Sequence, residues 1–289
     1  MPQAKIAVIG GSGLYDIEGM EDIKEVDINT PFGKPSDKIV VGKLEGVGVA
    51  FLPRHGRGHR LLPTEVPYRA NIYALKSLGV ERIIGINSVG SLKEEFQPNA
   101  LLIPDQLIDR TRLRANTFFG EGIVAHIPFG EPFCPLLSNV VYQAAKDAGA
   151  TAHQGGTCLV MEGPAFSTRA ESLLYRSWGA DVIGMTALPE AKLAREAEIC
   201  YAVVACVTDY DCWHRGHDAV TAEMIISRLH QNIDTAKQII KLAVGKVTEK
   251  RDCDCATALS TALITSPDVM PEAQKKKLDL LIGKYLKKD

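Results

Sequence analysis

Short apolar runs recur along the chain at Lys5 to Ile9, Ile39 to Leu44, Val47 to Leu52, Arg82 to Asn87, Leu101 to Ile103, Thr157 to Met161, Asp181 to Met185 and Tyr201 to Val207. Several are rich in Val and Ile, as strands buried on both faces are. Between them lie segments of helical periodicity, at Tyr68 to Leu78, Pro135 to Ala148, Arg169 to Trp178, Pro189 to Ala197 and Ala219 to Val244. This alternation predicts an α/β fold: a single domain over residues 1–245 with a central mixed or mainly parallel sheet flanked by helices. Residues 246–289 read as a C-terminal extension. The tail divides into Gly245 to Ser266, polar and cysteine-bearing, and Pro271 to Lys288, expected to be one amphipathic helix. The stripe Leu278, Leu281, Ile282 and Leu286 is expected to pack on the body or on a neighbouring subunit.

Several predicted strands end in polar segments, and in open α/β sheets ligands bind beyond the carboxyl ends of the strands. Gly10-Gly11-Ser12-Gly13 closes the first strand with bare amides and the Ser12 hydroxyl, groups able to surround a small anion. It carries neither the Gly-Lys-Ser/Thr of a nucleoside triphosphate loop nor a Gly-x-Gly-x-x-Gly dinucleotide pattern. Pro53 to Arg60 follows another strand and supplies Arg54 and His55. A third glycine turn is expected at Asn87-Ser88-Val89-Gly90-Ser91, and Thr186 follows a further strand. Together these segments predict an oxygen-rich site for inorganic phosphate. A lone Asp after a strand more often caps a helix or turn. Asp209 and Asp211, flanked by Tyr210 and Trp213, acquire a second meaning from the anion loops: the floor of a polar pocket. Ser167 or Thr168 with Glu171 predicts a capping box whatever the function.

Composition removes alternatives. The net charge is −2 with 46% hydrophobic and 24% charged residues, which points to neither nucleic acid nor an anionic membrane as partner. The expectation is a cytoplasmic enzyme. Of seven cysteines, five fall in or beside predicted strands, whereas Cys253-Asp254-Cys255 lies in a polar tract. That pair is open to three readings: redox couple, disulfide, or half of a metal site for which no further ligands follow downstream.

The strings Ile9-Gly10-Gly11-Ser12-Gly13-Leu14, Thr30-Pro31-Phe32-Gly33-Lys34-Pro35-Ser36-Asp37, Arg54-His55-Gly56-Arg57, His126-Ile127-Pro128, Glu131-Pro132-Phe133-Cys134-Pro135, Glu162-Gly163-Pro164, Met185-Thr186 and Thr208-Asp209-Tyr210-Asp211-Cys212-Trp213 occur in one order. In them the chain resembles the 5'-methylthioadenosine phosphorylases of the trimeric purine nucleoside phosphorylase family, from Lys5 to about Val244. The resemblance implies a purine nucleoside phosphorylase-like fold and reversible phosphorolysis of 5'-methylthioadenosine. Phosphate is then a co-substrate, and no metal or organic cofactor takes part. It implies phosphate contacts from Ser12, Arg54, His55, Asn87, Ser88 and Thr186, a ribose contact from Met185, and Phe166 facing the purine. Asp209 and Asp211 are implied to meet the purine edge, Asp209 as proton donor. His126 is implied to reach a neighbouring subunit's pocket in a homotrimer, or in a hexamer of two trimers. Ser12 and Asn87 stand where relatives often carry Thr. The Cys-x-Cys tail is similar to that of some thermophilic relatives, where it implies a redox or disulfide element. Competing expectations are a broader purine nucleoside phosphorylase acting on adenosine or inosine, a hydrolase, and a catalytically silent nucleoside-binding protein.

Overall fold

A computed structural model describes residues 3–11, 14, 17–214, 222–248 and 250–286, with only the backbone described over 222–232. Along the chain run β1 (Ile6–Gly10), β2 (Glu21–Val26), β3 (Ile39–Leu44), β4 (Val47–Pro53), α1 (Tyr68–Ser77), β5 (Arg82–Ser91), β6 (Leu101–Ile103), β7 (Gln106–Arg110), α2 (Pro135–Asp147), β8 (Ala152–Gln154), β9 (Thr157–Met161), α3 (Arg169–Ser177), β10 (Val182–Gly184), α4 (Ala187–Glu196), β11 (Cys200–Asp209) and α5 (Ala222–Lys246). A 3-10 turn (Asp254–Thr257), α6 (Glu272–Lys277) and α7 (Asp279–Leu286) complete it.

The strands form one mixed sheet whose main path runs β2-β3-β4-β1-β5-β10-β9-β7. Its centre is parallel, β4 to β1 to β5 to β11, with β11 carrying β6 and then β8 on its outer side. Every residue of β1 and β11 is buried, which is why both read as unbroken apolar runs. Alternation along these strands divides the core into two layers. Ala7, Ile9, Ile83, Tyr201, Val203 and Ala205 face one layer, while Ile6, Val8, Ile84, Ala202 and Val204 face the other. The first layer is closed by residues of α1, α4 and the C-terminal extension. The second is closed by residues of α2 and α5.

The expected strands are present, and three more appear. β2 has no apolar period because all but its last residue are exposed; it is an edge strand held by backbone pairing to β3. β7 and β8 are short and flank more strongly apolar neighbours. Two expectations are corrected. Asn87 to Ser91 is not a turn but the end of β5, because Gly90 and Ser91 continue the ladder against Ile183 and Val182 of β10. The terminal segment is not one helix: Leu278, at φ −103° and ψ 8°, separates α6 from α7. Leu278, Leu281 and Ile282 nevertheless lie in the first core layer, so this stripe packs on the chain's own body. Among the described residues no helix is long and apolar enough to cross a membrane.

Candidate active site at the carboxyl ends of the central strands

Arg54 follows β4 directly, and its backbone N–H donates to Gly10 O at 2.9 Å, joining the ends of β4 and β1. Its side chain turns inward and is only 3% exposed. Nε donates to Glu190 Oε1 at 2.5 Å and Nη2 to Oε2 at 3.0 Å, the fork geometry that makes Arg-carboxylate pairs strong. The Tyr201 hydroxyl donates to the same Oε2 at 2.8 Å. Nη1 donates to Ile86 O at 3.0 Å, and Nη2 also reaches Ile9 O at 3.2 Å and Asn87 Oδ1 at 3.1 Å. Burial opposes the guanidinium charge, but the charge and hydrogen bond of Glu190 more than offset it and hold the cation. Asn87 passes the order onward, Nδ2 donating to Thr186 Oγ1 at 2.7 Å. Arg54, Asn87 and Thr186, which lie far apart in sequence, thus form one hydrogen-bonded chain, with half-buried Ser88 next along β5.

His55 sits beside this chain with Nδ1 2.8 Å from Leu61 O and its ring stacked on His59 at 4.3 Å. A carbonyl only accepts, so Nδ1 carries the proton and the neutral ring presents Nε2 as a lone pair. Burial, followed by the charge of Arg54, pushes the His55 pKa down to about 4.

The two acids stand one strand over. Between Val207 and Asp209 the β11 ladder shifts register, setting Asp209 opposite Gly90; a bulge of this kind re-aims a side chain. A Cβ on Gly90 would lie 2.9 Å from Asp209 Oδ1, so glycine is what allows the carboxyl to sit there. Both acids are buried, Asp209 at 8% and Asp211 at 9% exposure. Asp211 N donates to Asp209 Oδ1 at 2.8 Å, and Thr208 Oγ1 lies 2.7 Å from Asp209 Oδ2 and 3.2 Å from Val89 O. Burial raises the Asp211 pKa, with the nearby Ser172 hydroxyl opposing and the charge of Asp209 adding. Neither Asp211 Oδ2 nor Ser172 Oγ makes a hydrogen bond of normal length, and both atoms are buried. Trp213 is fixed just beyond the two acids: Nε1 donates to Ser91 O at 2.8 Å, and the Arg176 guanidinium lies 3.4 Å from its ring centre.

The third wall is β9 with the β10-α4 turn. The carbonyls of Met161, Glu162, Met185 and Leu188 all accept from one buried guanidinium, that of Arg114, whose Nε also pairs with Glu162 Oε1 at 3.0 Å. Met185 packs over Gly163, where a Cβ would fall 2.6 Å from its sulfur. Phe166 is 44% exposed. The capping box is present, Thr168 accepting from Glu171 N and Glu171 from Thr168 N.

A model of the family described as the phosphorylase superfamily matches residues 5–244. The chain belongs to that superfamily. It is 60% identical over 282 residues to an S-methyl-5'-thioadenosine phosphorylase of Geobacter sulfurreducens, covering 97% of this chain and 99% of that one. It is 59% identical to one of Koribacter versatilis over 98% of this chain and 97% of the relative. Among solved structures it is similar to a methylthioadenosine phosphorylase from an antarctic soil metagenomic library, with a TM-score of 0.93, 50% identity and coverage of 97% and 99%. It also resembles a mutant adenosine/methylthioadenosine phosphorylase of Schistosoma mansoni in complex with methylthioadenosine, with a TM-score of 0.79, 36% identity and coverage of 86% and 93%.

In this superfamily member the structure brings together Arg54, His55, Asn87, Ser88 and Thr186 at one rim, and beside them Asp209 at the end of β11 with Asp211 just beyond it. His126 lies apart and exposed, its backbone N–H donating to Ala262 O of the extension at 2.9 Å. Ser12 lies outside the described residues. Three residues escaped the sequence reading. Glu190 and Tyr201 sit inside apolar periodic segments, and Arg114 sits in a loop with two other arginines, so nothing local marks them. No further ligands follow Cys253 and Cys255 downstream, but partners come from earlier in the chain. Cys134 and Cys200 meet them from upstream, all four sulfurs lying within 4.8 Å of one another.

His55 makes stability acid-sensitive in a calculable direction. Its unfolded value is ~6.5 and its folded value about 4, so between these the unfolded chain binds the extra proton. Its contribution is intact above the unfolded value and lost as pH falls through the window. Glu196, raised to about 7 by burial, acts oppositely, its contribution fading as pH rises from ~4.5 toward its folded value. The two overlap, so the informative quantity is a difference. The stability advantage of the wild type over His55→Gln is expected to be largest near neutrality and to shrink or reverse near pH ~5. Thermal melts of both proteins across that range check this, and a constant gap contradicts it.

Proposed function

We propose that the chain catalyses the reversible phosphorolysis of 5'-methylthioadenosine to adenine and 5-methylthioribose 1-phosphate. The observation that carries this reading is the buried pair Asp209, which ends β11, and Asp211, two residues beyond it, one strand away from the Arg54-Asn87-Thr186 chain. One group of polar residues suits an anion and the adjacent group suits a purine edge. The names of the relatives support the substrate. Residues 1–245 form the catalytic unit in this reading and 246–289 an extension of it, within a cytoplasmic homotrimer or a hexamer of two trimers serving purine and methionine salvage.

The bond from the anomeric carbon to the purine nitrogen breaks as the sugar approaches an oxocarbenium ion. Phosphate on the opposite face offsets the developing charge and then forms the new C–O bond. Phosphate is the co-substrate, held by Ser12, His55, Ser88 and Thr186. His55, with its proton committed to Leu61 O, offers Nε2 to a phosphate hydroxyl. Arg54 contributes chiefly from behind: five bonds to the protein engage it, and one Nη1 hydrogen remains for the anion. Met185 lies under the ribose and Phe166 faces the purine. At the other end of the breaking bond, Asp209 donates a proton to the imidazole nitrogen of the departing adenine. The buried, unbonded Asp211 Oδ2 awaits the exocyclic amine. His126, on an exposed loop, is suited to reach the methylthio end of a neighbouring subunit's site.

The test is a kinetic panel of methylthioadenosine, adenosine and inosine, each with and without phosphate. Phosphate-dependent release of adenine, fastest from methylthioadenosine, is the expected result. Inosine as the best substrate overturns the adenine assignment. Turnover without phosphate establishes hydrolysis, and no base release at any phosphate concentration establishes a silent binding protein.

A further inference from the structure

We propose that Cys134, Cys200, Cys253 and Cys255 bind one zinc ion as a tetrathiolate site that staples the C-terminal extension to the body of the chain. The four residues come from three separate segments. Cys134 is the residue preceding α2, Cys200 opens β11, and Cys253 and Cys255 flank and enter the 3-10 turn. Folding nevertheless brings all four sulfurs within 4.8 Å of one another, Cys200 and Cys253 at 3.4 Å. A tetrahedral zinc site with Zn–S of ~2.3 Å needs sulfur separations of roughly 3.8 Å, which small side-chain adjustments supply. Two disulfides require the sulfurs to approach only in pairs, at ~2.05 Å within each pair. Here all seven thiols are free, and four converge on a common point.

The surroundings suit a thiolate site. Cys134, Cys200 and Cys255 are buried and Cys253 is partly exposed, so an ion reaches the cluster from the Cys253 side. That side is a shallow crevice lined by Arg82, Lys250 and Arg251 among others. Zinc with four thiolates carries two net negative charges, and cations in the surrounding shell stabilise such a centre. Soft thiolate sets select zinc over the hard divalent cations.

The structural consequence lies downstream. Beyond the cluster, Leu259 N donates to Glu198 Oε1 at 3.2 Å and Leu263 pairs with Ala125. Val124 N donates to Thr265 Oγ1 at 2.8 Å. A zinc staple at residues 253 and 255 therefore fixes the segment on which the His126 loop rests.

Metal content is measured on the full-length protein purified with reductant and dialysed into metal-free buffer, a readout independent of any nucleoside activity. One zinc per chain is expected, together with four thiols that resist alkylation until a chelator and denaturant are added. Cobalt(II) in place of zinc is expected to give the intense sulfur-to-metal absorption of a tetrathiolate site. Cys253→Ser with Cys255→Ser is expected to lose the zinc and to melt at lower temperature, whereas Cys212→Ser keeps its zinc. If the double variant does not fold, the wild-type metal content and cobalt spectrum still decide. Cysteines linked pairwise in the non-reduced, denatured wild type overturn the proposal. Four reactive thiols after incubation with zinc also overturn it.

Discussion

Arg54→Ala is expected to lower the melting temperature by on the order of 10 °C, before any effect on phosphate is considered. Glu190 is fully buried, and the substitution removes the two hydrogen bonds and the charge that Arg54 directs at it. Removing one partner of a buried ion pair costs ~3–5 kcal/mol because the other charge stays buried without compensation. At roughly 2–4 °C per kcal/mol for chains of this size, the expected shift follows. Asn87 Oδ1 loses its donor as well, so the orientation of Asn87 and Thr186 relaxes and the phosphate requirement rises. Arg54→Met combined with Glu190→Leu separates these effects, since replacing both members of a buried pair by apolar groups is often nearly neutral. The double variant is expected to recover most of the melting temperature but not the phosphate affinity. Thermal melts and phosphate titrations of the three proteins check both halves. A single variant that melts with the wild type contradicts the proposed role of the pair.

That pair also marks where reading the sequence stops. Arg54 stands out because it follows a strand in a glycine-rich basic run. Its partner, 136 residues away, does not, since Glu190 at the start of an apolar helix looks like any first-turn acid. The central strands are legible because burial on both faces leaves unbroken apolar runs, as in β1 and β11. β2 is not, because an exposed edge strand is specified by its neighbour's backbone. Asn87 to Ser91 reads locally as a turn, yet pairing across β10 and β11 holds it extended. The capping box at Thr168 and Glu171 is local chemistry and is visible in the sequence. The four-cysteine cluster depends on distant segments meeting, and spacing along the chain conceals it.

Asp209→Asn is expected to reduce turnover of methylthioadenosine by ~10²–10⁴-fold, the range associated with loss of a general acid, while leaving the fold intact. The local hydrogen bonds explain why stability is spared. Thr208 Oγ1 has one proton and two acceptors within reach, Val89 O and Asp209 Oδ2. An amide in place of the carboxyl resolves this competition, its Nδ2 donating to Thr208 while Thr208 donates to Val89. The amide oxygen still accepts from Asp211 N in place of Oδ1. A protonated Asp209 makes the same pattern, Oδ2–H to Thr208 to Val89, so the surroundings accommodate a neutral carboxyl as well as a carboxylate. The amide differs in that it cannot release a proton to the departing base. Its second Nδ2 hydrogen also points toward the exocyclic amine from which Asp211 accepts, a donor facing a donor, whereas the purine oxygen of inosine accepts there, and mismatched partners in a buried site are strongly discriminating. Inosine is therefore expected to gain on methylthioadenosine in relative kcat/KM, with KM for phosphate nearly unchanged. Initial rates at varied nucleoside and phosphate, alongside a thermal melt, measure all three. Wild-type turnover of methylthioadenosine by a normally folded Asp209→Asn protein contradicts proton donation from this residue, and a large rise in phosphate KM moves Asp209 into the anion site.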